Sequence, residues 1–191
     1  MAWWPCGNKK SAPPAPVNQW AILYSPGMPA APQAVGNGFR LDFPVAGSLH
    51  YVVRGHAGAI KGVITADIEI VVPEGVTFTP QDAGEGPPCK MTFYFQRRGD
   101  DLTASKPYHR WFSSQNVPLV NTPAASVSIP LDPALWGSVF GKKGNEVPAE
   151  FAAALADVQG VGVTFSGKHF AGHGVTASSA SHIIVSSFNV G

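Results

Sequence analysis

Charge is scarce in this chain. Across 191 residues there are 13 Lys and Arg and 12 Asp and Glu, a charged fraction of 13% and a formal net charge of +1. That balance leaves no electrostatic footprint for nucleic acid or an anionic membrane, so neither is expected as a partner. Cysteine is nearly absent. Cys6 and Cys89 are far apart and have no zinc-site spacing. They are read as two separate thiols, with a Cys6–Cys89 bridge as the alternative. No apolar run approaches the roughly 18 residues of a membrane-spanning helix. The start, MAWWPCGNKK, has no hydrophobic region of a signal peptide. The expected location is therefore the cytoplasm or a virion, unless a leader is missing from the sequence. No internal repeat is evident.

What the chain has instead is turn formers and apolar residues: 21 Gly, 18 Pro and 45% hydrophobic residues. Short β-branched and aromatic runs between Gly and Pro predict an all-β domain with many loops. Residues 1–19 hold Pro5, Pro13, Pro14 and Pro16 and read as an extended arm. Trp3 and Trp4 in that arm are expected to pack back on the domain; a docking site for a neighbouring subunit is the alternative. Residues 20–191 read as one domain.

Within it, Trp20–Tyr24 is a short strand. Phe39, Leu41 and Phe43 share one face of a second strand, which pairs with residues 49–54 in an opening hairpin. Residues 58–72 form the longest strand, with a bulge or bend near Gly62. Short strands follow at 76–78, 116–122 and 125–129. Asp132 before Pro133 predicts a capped helical turn, folded onto the body by Trp136, Val139 and Phe140. Pro148 to Val158 predicts the one helix, with Phe151, Leu155 and Val158 on one stripe and Gly160 as its stop. Strands at 160–165 and 181–190 close the chain. Roughly ten short strands and one short α-helix near 148–158 describe a two-layer antiparallel β-sandwich of the jelly-roll kind.

The richest stretch is Met91 to Phe112. Side chains alternate along a strand, so Met91, Phe93 and Phe95 face a core, and Thr92, Tyr94, Gln96 and Arg98 face away. Gly99-Asp100-Asp101 reads as a turn, and residues 108–112 return as a second strand. The opposite face of this hairpin gathers Tyr94, Gln96, Arg98, His109, Arg110 and Trp111. An aromatic platform with amide and guanidinium donors is what a sugar requires, since sugars offer apolar C–H faces ringed by hydroxyls. The plainer reading is a solvated sheet face with Arg stems over aromatics. His169, Phe170 and His173 sit in the loop SGKHFAGHG, which could rim such a face. Its glycines oppose a helix that would aim both imidazoles one way, and no third metal ligand is evident.

Two further groups have plain explanations. Asp67 and Glu69 share a strand face roughly 6–7 Å apart, a weak version of a glycosidase acid pair. Arg98-Gly99-Asp100 matches an adhesion tripeptide, which a turn explains. No nucleophile elbow, phosphate loop or Cys–His signature is present.

The order and character of GFRLDFP, LHYVVR, GAIKGVITADIEI, FYFQRR, YHRWF, GVGVTFSG and HIIVSSFNV resemble the galactose-binding-like β-sandwiches. This fold is shared by many non-catalytic carbohydrate-binding modules. The resemblance spans residues 36–190 and carries no catalytic signature. It implies a jelly roll that binds carbohydrate, and family members often hold a structural calcium. Here Asp82 with Glu85, and Asp100 with Asp101, are thin substitutes for a calcium loop, so no cofactor is expected, with a structural calcium as the alternative. The leading expectation is a carbohydrate-binding module without enzymatic activity. The alternatives are a phage virion or surface assembly protein that oligomerises through its arm, and a glycoside hydrolase-like enzyme.

Overall fold

Strict alternation sets the architecture. In the strand Val63–Val71, Ile64, Ala66, Ile68 and Ile70 are buried while the residues between them are not. In the strand Lys90–Arg97, Met91, Phe93 and Phe95 are fully buried. Each strand thus offers one apolar face, and two sheets bury these faces against each other.

A computed structural model of the protein describes residues 15–82 and 84–191. Trp3, Trp4 and Cys6 lie outside the described residues. The strands are β1 (Trp20–Leu23), β2 (Gln33–Val35), β3 (Gly38–Asp42), β4 (Tyr51–Gly58), β5 (Val63–Val71), β6 (Phe78–Pro80), β7 (Lys90–Arg97), β8 (Arg110–Pro118), β9 (Thr122–Pro130), β10 (Trp136–Ser138), β11 (Val158–Ser166), β12 (Val175–Ala177) and β13 (His182–Val190). Sheet A runs β1-β4-β11-β7-β8-β10, sheet B runs β2-β3-β13-β5-β9, and β6 pairs with β12. All pairings within the sheets are antiparallel.

Eight principal strands, β3, β4, β5, β7, β8, β9, β11 and β13, divide between the sheets in jelly-roll order. Numbered one to eight, they lie as one-eight-three-six in sheet B and two-seven-four-five in sheet A. The protein is an all-β, two-layer antiparallel sandwich with one short helix, α1 (Pro148–Ala156).

Several sequence expectations change. Residues 38–43 and 49–54 do not form a hairpin. β3 pairs with β2 and β13, and β4 pairs with β1 and β11, so Pro44–Gly47 carries the chain across the sandwich. The bend near Gly62 is a full break. β4 ends at Gly58 in sheet A, and β5 starts at Val63 in sheet B. The short strand expected at 76–78 forms instead at Phe78–Pro80. β2, unforeseen, joins β3 through a two-residue Gly36-Asn37 turn, with Val35 opposite Gly38. Gly36 takes φ +57°, the region such turns need.

The turn at Pro133–Leu135 forms as expected, with the Asp132 carboxylate accepting from the Ala134 amide at 2.9 Å. Trp136 is fully buried there, whereas Phe140 stays 66% exposed. Helix α1 plugs the core rather than a sheet's outer face. Phe151 meets Trp111 at 4.9 Å and Phe95 at 5.9 Å between ring centroids. Cys89 is buried against the Phe78 carbonyl, and burial pushes its thiol up to about 11. Among the described residues no helix is long and apolar enough to cross a membrane.

Candidate functional site

The register of sheet A decides which side chains reach its outer face. Tyr94 lies opposite Phe112 and Gln96 opposite Arg110, while Phe95 lies opposite Trp111. Alternation from that register turns Tyr94, Gln96, Arg110 and Phe112 outward and Trp111 inward. Trp111 is fully buried in the main core, with its indole N–H donating to the Tyr108 carbonyl at 2.9 Å. It is a core residue, not a sugar platform.

On the outer face, a second small apolar cluster forms from Tyr51, Val53 and Tyr94, joined by Tyr24, Leu102 and Phe112. Tyr94 is fully buried there, and its ring meets Tyr51 at 5.2 Å and Phe112 at 6.2 Å. Room for this layer comes from β11, which places Gly160 and Gly162 opposite Gln96 and Tyr94. A Cβ on Gly160 would sit 2.8 Å from a Val53 methyl and 3.0 Å from the Gln96 amide oxygen. Burial raises the pKa of both tyrosines, so the phenols stay protonated.

The loop between β7 and β8 folds over this cluster through a buried ion pair. Arg110 Nη1 lies 3.4 Å from Asp100 Oδ2, and the two side chains are 5% and 0% exposed. Gln96 donates to the same oxygen at 2.8 Å, and Arg110 Nη2 donates to the Thr103 carbonyl at 3.3 Å. The guanidinium also stacks over the Tyr51 and Phe112 rings. Tyr94 Oη, Asp100 Oδ1 and Arg110 Nε have no partner among the described residues. Arg98 lies apart, bonded to Asp157 at 2.9 Å. With Gly99 in a turn and Asp100 buried, the adhesion tripeptide is a structural corner. His109 is half-buried in the same loop and does not line the cleft described next.

Beside the buried layer lies an open cleft of about 1010 Å³. Its floor is the outer face of β7 and β8: Lys90, Thr92, Arg110, Phe112, Ser113, Ser114 and Asn116. Thr92 Oγ1 donates to the Asn116 amide oxygen at 2.6 Å, and the Asn116 amide nitrogen donates to the Ser114 carbonyl at 3.2 Å on the exposed side. One wall is the loop holding His169, Phe170 and His173, and the facing wall holds Val139, Phe140 and Lys143. The Glu85 carboxylate fixes the first wall by accepting from the amides of His169 at 3.1 Å and Phe170 at 2.6 Å. His173 bonds Asp82 at 3.0 Å and stacks on Phe170 at 5.4 Å. At its far end this loop lies on His50, whose Nδ1 is 3.0 Å from the Gly172 carbonyl.

Two carboxylates answer cleft side chains from within: Asp100 pairs with Arg110 and Asp82 bonds His173, while the Lys90 ammonium donates to the Lys168 carbonyl at 2.8 Å and Lys143 stands near the Lys142–Glu146 pair. The exposed lining includes Ser114, Asn116 and two large rings, Phe140 at 66% and Phe170 at 58%.

Asp67 and Glu69 lie on the outer face of the other sheet. Ser126 and Ser187 donate to the Asp67 carboxylate at 2.5 and 2.6 Å and hold its pKa below the usual carboxylate value. A glycosidase proton donor needs the opposite shift. Among the described residues no group of three or more His, Cys, Asp or Glu is placed to hold a metal ion.

The structure thus brings together Arg110, His169, Phe170 and His173 from the expected set. It buries Tyr94, Gln96 and Trp111, and leaves Arg98 and His109 elsewhere. Sequence reasoning missed Lys90, Asn116, Phe112 and Phe140 as lining residues. Lys90 shares the parity of Thr92 and Tyr94, so alternation alone could have found it. No family model matches this sequence, and no curated protein matches it.

Proposed function

We propose that the protein is a non-catalytic binding module that holds a carbohydrate in the cleft on the outer face of sheet A. One observation carries the reading: an open cleft of about 1010 Å³ in which buried Asp100 pairs with Arg110 and whose exposed lining includes Ser114, Asn116 and two aromatic rings. A sugar ring is complementary to that surface, because its C–H face packs on an aromatic ring while its hydroxyls exchange hydrogen bonds with Asn, Ser and Thr. The jelly-roll strand order supports the same reading without selecting a ligand.

A glycan array probed with the whole chain tests it. The expected result is a defined set of glycan signals that Phe170→Ala and Ser114→Ala each reduce at least tenfold, with the thermal melt unchanged. Absence of any glycan signal, or signals insensitive to both substitutions, contradicts it. Trp111→Ala is unsuited to this test, since it would empty the core.

A further inference from the structure

The two exposed rings stand at opposite corners of the cleft. Phe170 follows β11, whose last residue, Ser166, lies opposite Lys90 at the start of β7. Phe140 follows β10, whose last residue, Ser138, lies opposite Trp111, itself opposite Phe95 near the end of β7. From one corner to the other the path crosses β11, β7, β8 and β10 and advances from Lys90 to Phe95 along β7. With strands about 4.8 Å apart and a rise of about 3.3 Å per residue, the strand ends carrying the rings are on the order of 20 Å apart. That distance is far beyond a single sugar ring.

The Phe170 ring and the backbone that carries Phe140 are held in place. The Phe170 amide donates to Glu85 at 2.6 Å and its ring stacks on His173. Phe140 sits in a tight turn in which the Gly141 amide donates to the Ser138 carbonyl at 2.9 Å and the Ser138 amide to the Lys142 carbonyl at 2.8 Å. Gly141 takes φ +79°. A large ring that is exposed and fixed loses little freedom when a ligand packs on it. Among the exposed large hydrophobic residues described, Phe140 and Phe170 are the aromatic ones, and both line this cleft.

Building on the carbohydrate reading above, we propose that the ligand is an extended, uncharged glycan chain. It lies diagonally across β7 and β8, with one sugar stacked on Phe170, another on Phe140, and the intervening hydroxyls over Ser114 and Asn116. The site therefore recognises chain length as well as sugar identity.

Calorimetric titration with neutral β-1,4-linked gluco-, xylo- and manno-oligosaccharides, from disaccharide to hexasaccharide, tests this. In at least one series the hexasaccharide should bind at least tenfold more tightly than the disaccharide. Phe140→Ala and Phe170→Ala should each bring that ratio close to one. Since both rings are exposed, the variants should keep the wild-type melt, and an unchanged melt is the control. Equal affinity for disaccharide and hexasaccharide, or dependence on one ring alone, overturns the chain-spanning site while the carbohydrate reading stands. No binding to any series also overturns it, and the glycan array then decides whether the carbohydrate reading survives.

Discussion

On sheet B the outward residues of β5, namely Val63, Thr65, Asp67 and Glu69, are half-buried, and the Asp67 carboxylate accepts from the hydroxyls of Ser126 and Ser187 on neighbouring strands. On sheet A the outward residues of β7, namely Thr92, Tyr94 and Gln96, are buried. Both strands alternate, and both inner faces belong to the same core. The difference lies in the loops. Sheet A carries a third layer made by the β7–β8 loop and by the loop after β11, and among the described residues sheet B carries none over β5. Loops that fold back on a rigid sheet create walls, and walls create a cleft. The sandwich thus has one inert outer face and one built one.

This contrast predicts unequal responses to equivalent changes. Asp100→Ala leaves Arg110 buried without its carboxylate and should cost about 3–5 kcal/mol in urea unfolding. Asp67→Ala, on the bare face, should cost much less. Equal losses would mean that the β7–β8 loop adds nothing to stability.

Tyr94→Phe removes a buried hydroxyl that has no partner among the described residues. It should be neutral or stabilise by up to about 1 kcal/mol, because no hydrogen bond is lost and a desolvated polar group is removed. A clear loss of stability would show that the hydroxyl is satisfied.

Acid should act on sheet B through Asp67. Its folded pKa is depressed by two hydroxyl donors, so its contribution is present above the unfolded carboxylate value of about 3.9. That contribution is lost as pH falls through the lower folded value. Unfolding curves taken from pH 5 down to pH 2 should fall less steeply for Asp67→Asn than for the wild type. Parallel curves would remove Asp67 from the account.

Smallest of all should be the stability effects of Phe140→Ala and Phe170→Ala, within about 0.5 kcal/mol by urea titration. Exposed rings that cost little to remove are placed for something other than folding.

Much of the fold could be read from the chain. The inward parity of Met91, Phe93 and Phe95, the capped turn at Asp132, the single helix and the last two long strands all follow from local pattern. Register could not be read in this way. β7 and β8 are joined by a long loop, which leaves the pairing partner of Phe95 open, and a shift of one residue moves Trp111 from the outer face to the core. The same limit hid the β3–β4 crossing, since Pro44–Gly47 resembles a hairpin turn until the sheets are known. The cleft was only half legible. Lys90 and Thr92 follow from parity, and the loop bearing Phe170 was visible as a loop. Phe140 joins it through the pairing of β10 with β8, a contact between segments that no local pattern announces.

The central claim is that ligand binds the built face and not the bare one. Amide chemical-shift mapping with a bound hexasaccharide tests this most directly. The account predicts perturbations at Lys90, Thr92, Asn116, Phe140 and Phe170, with none along Thr65–Glu69. Perturbations concentrated on β5 and β9, with the cleft silent, would contradict it.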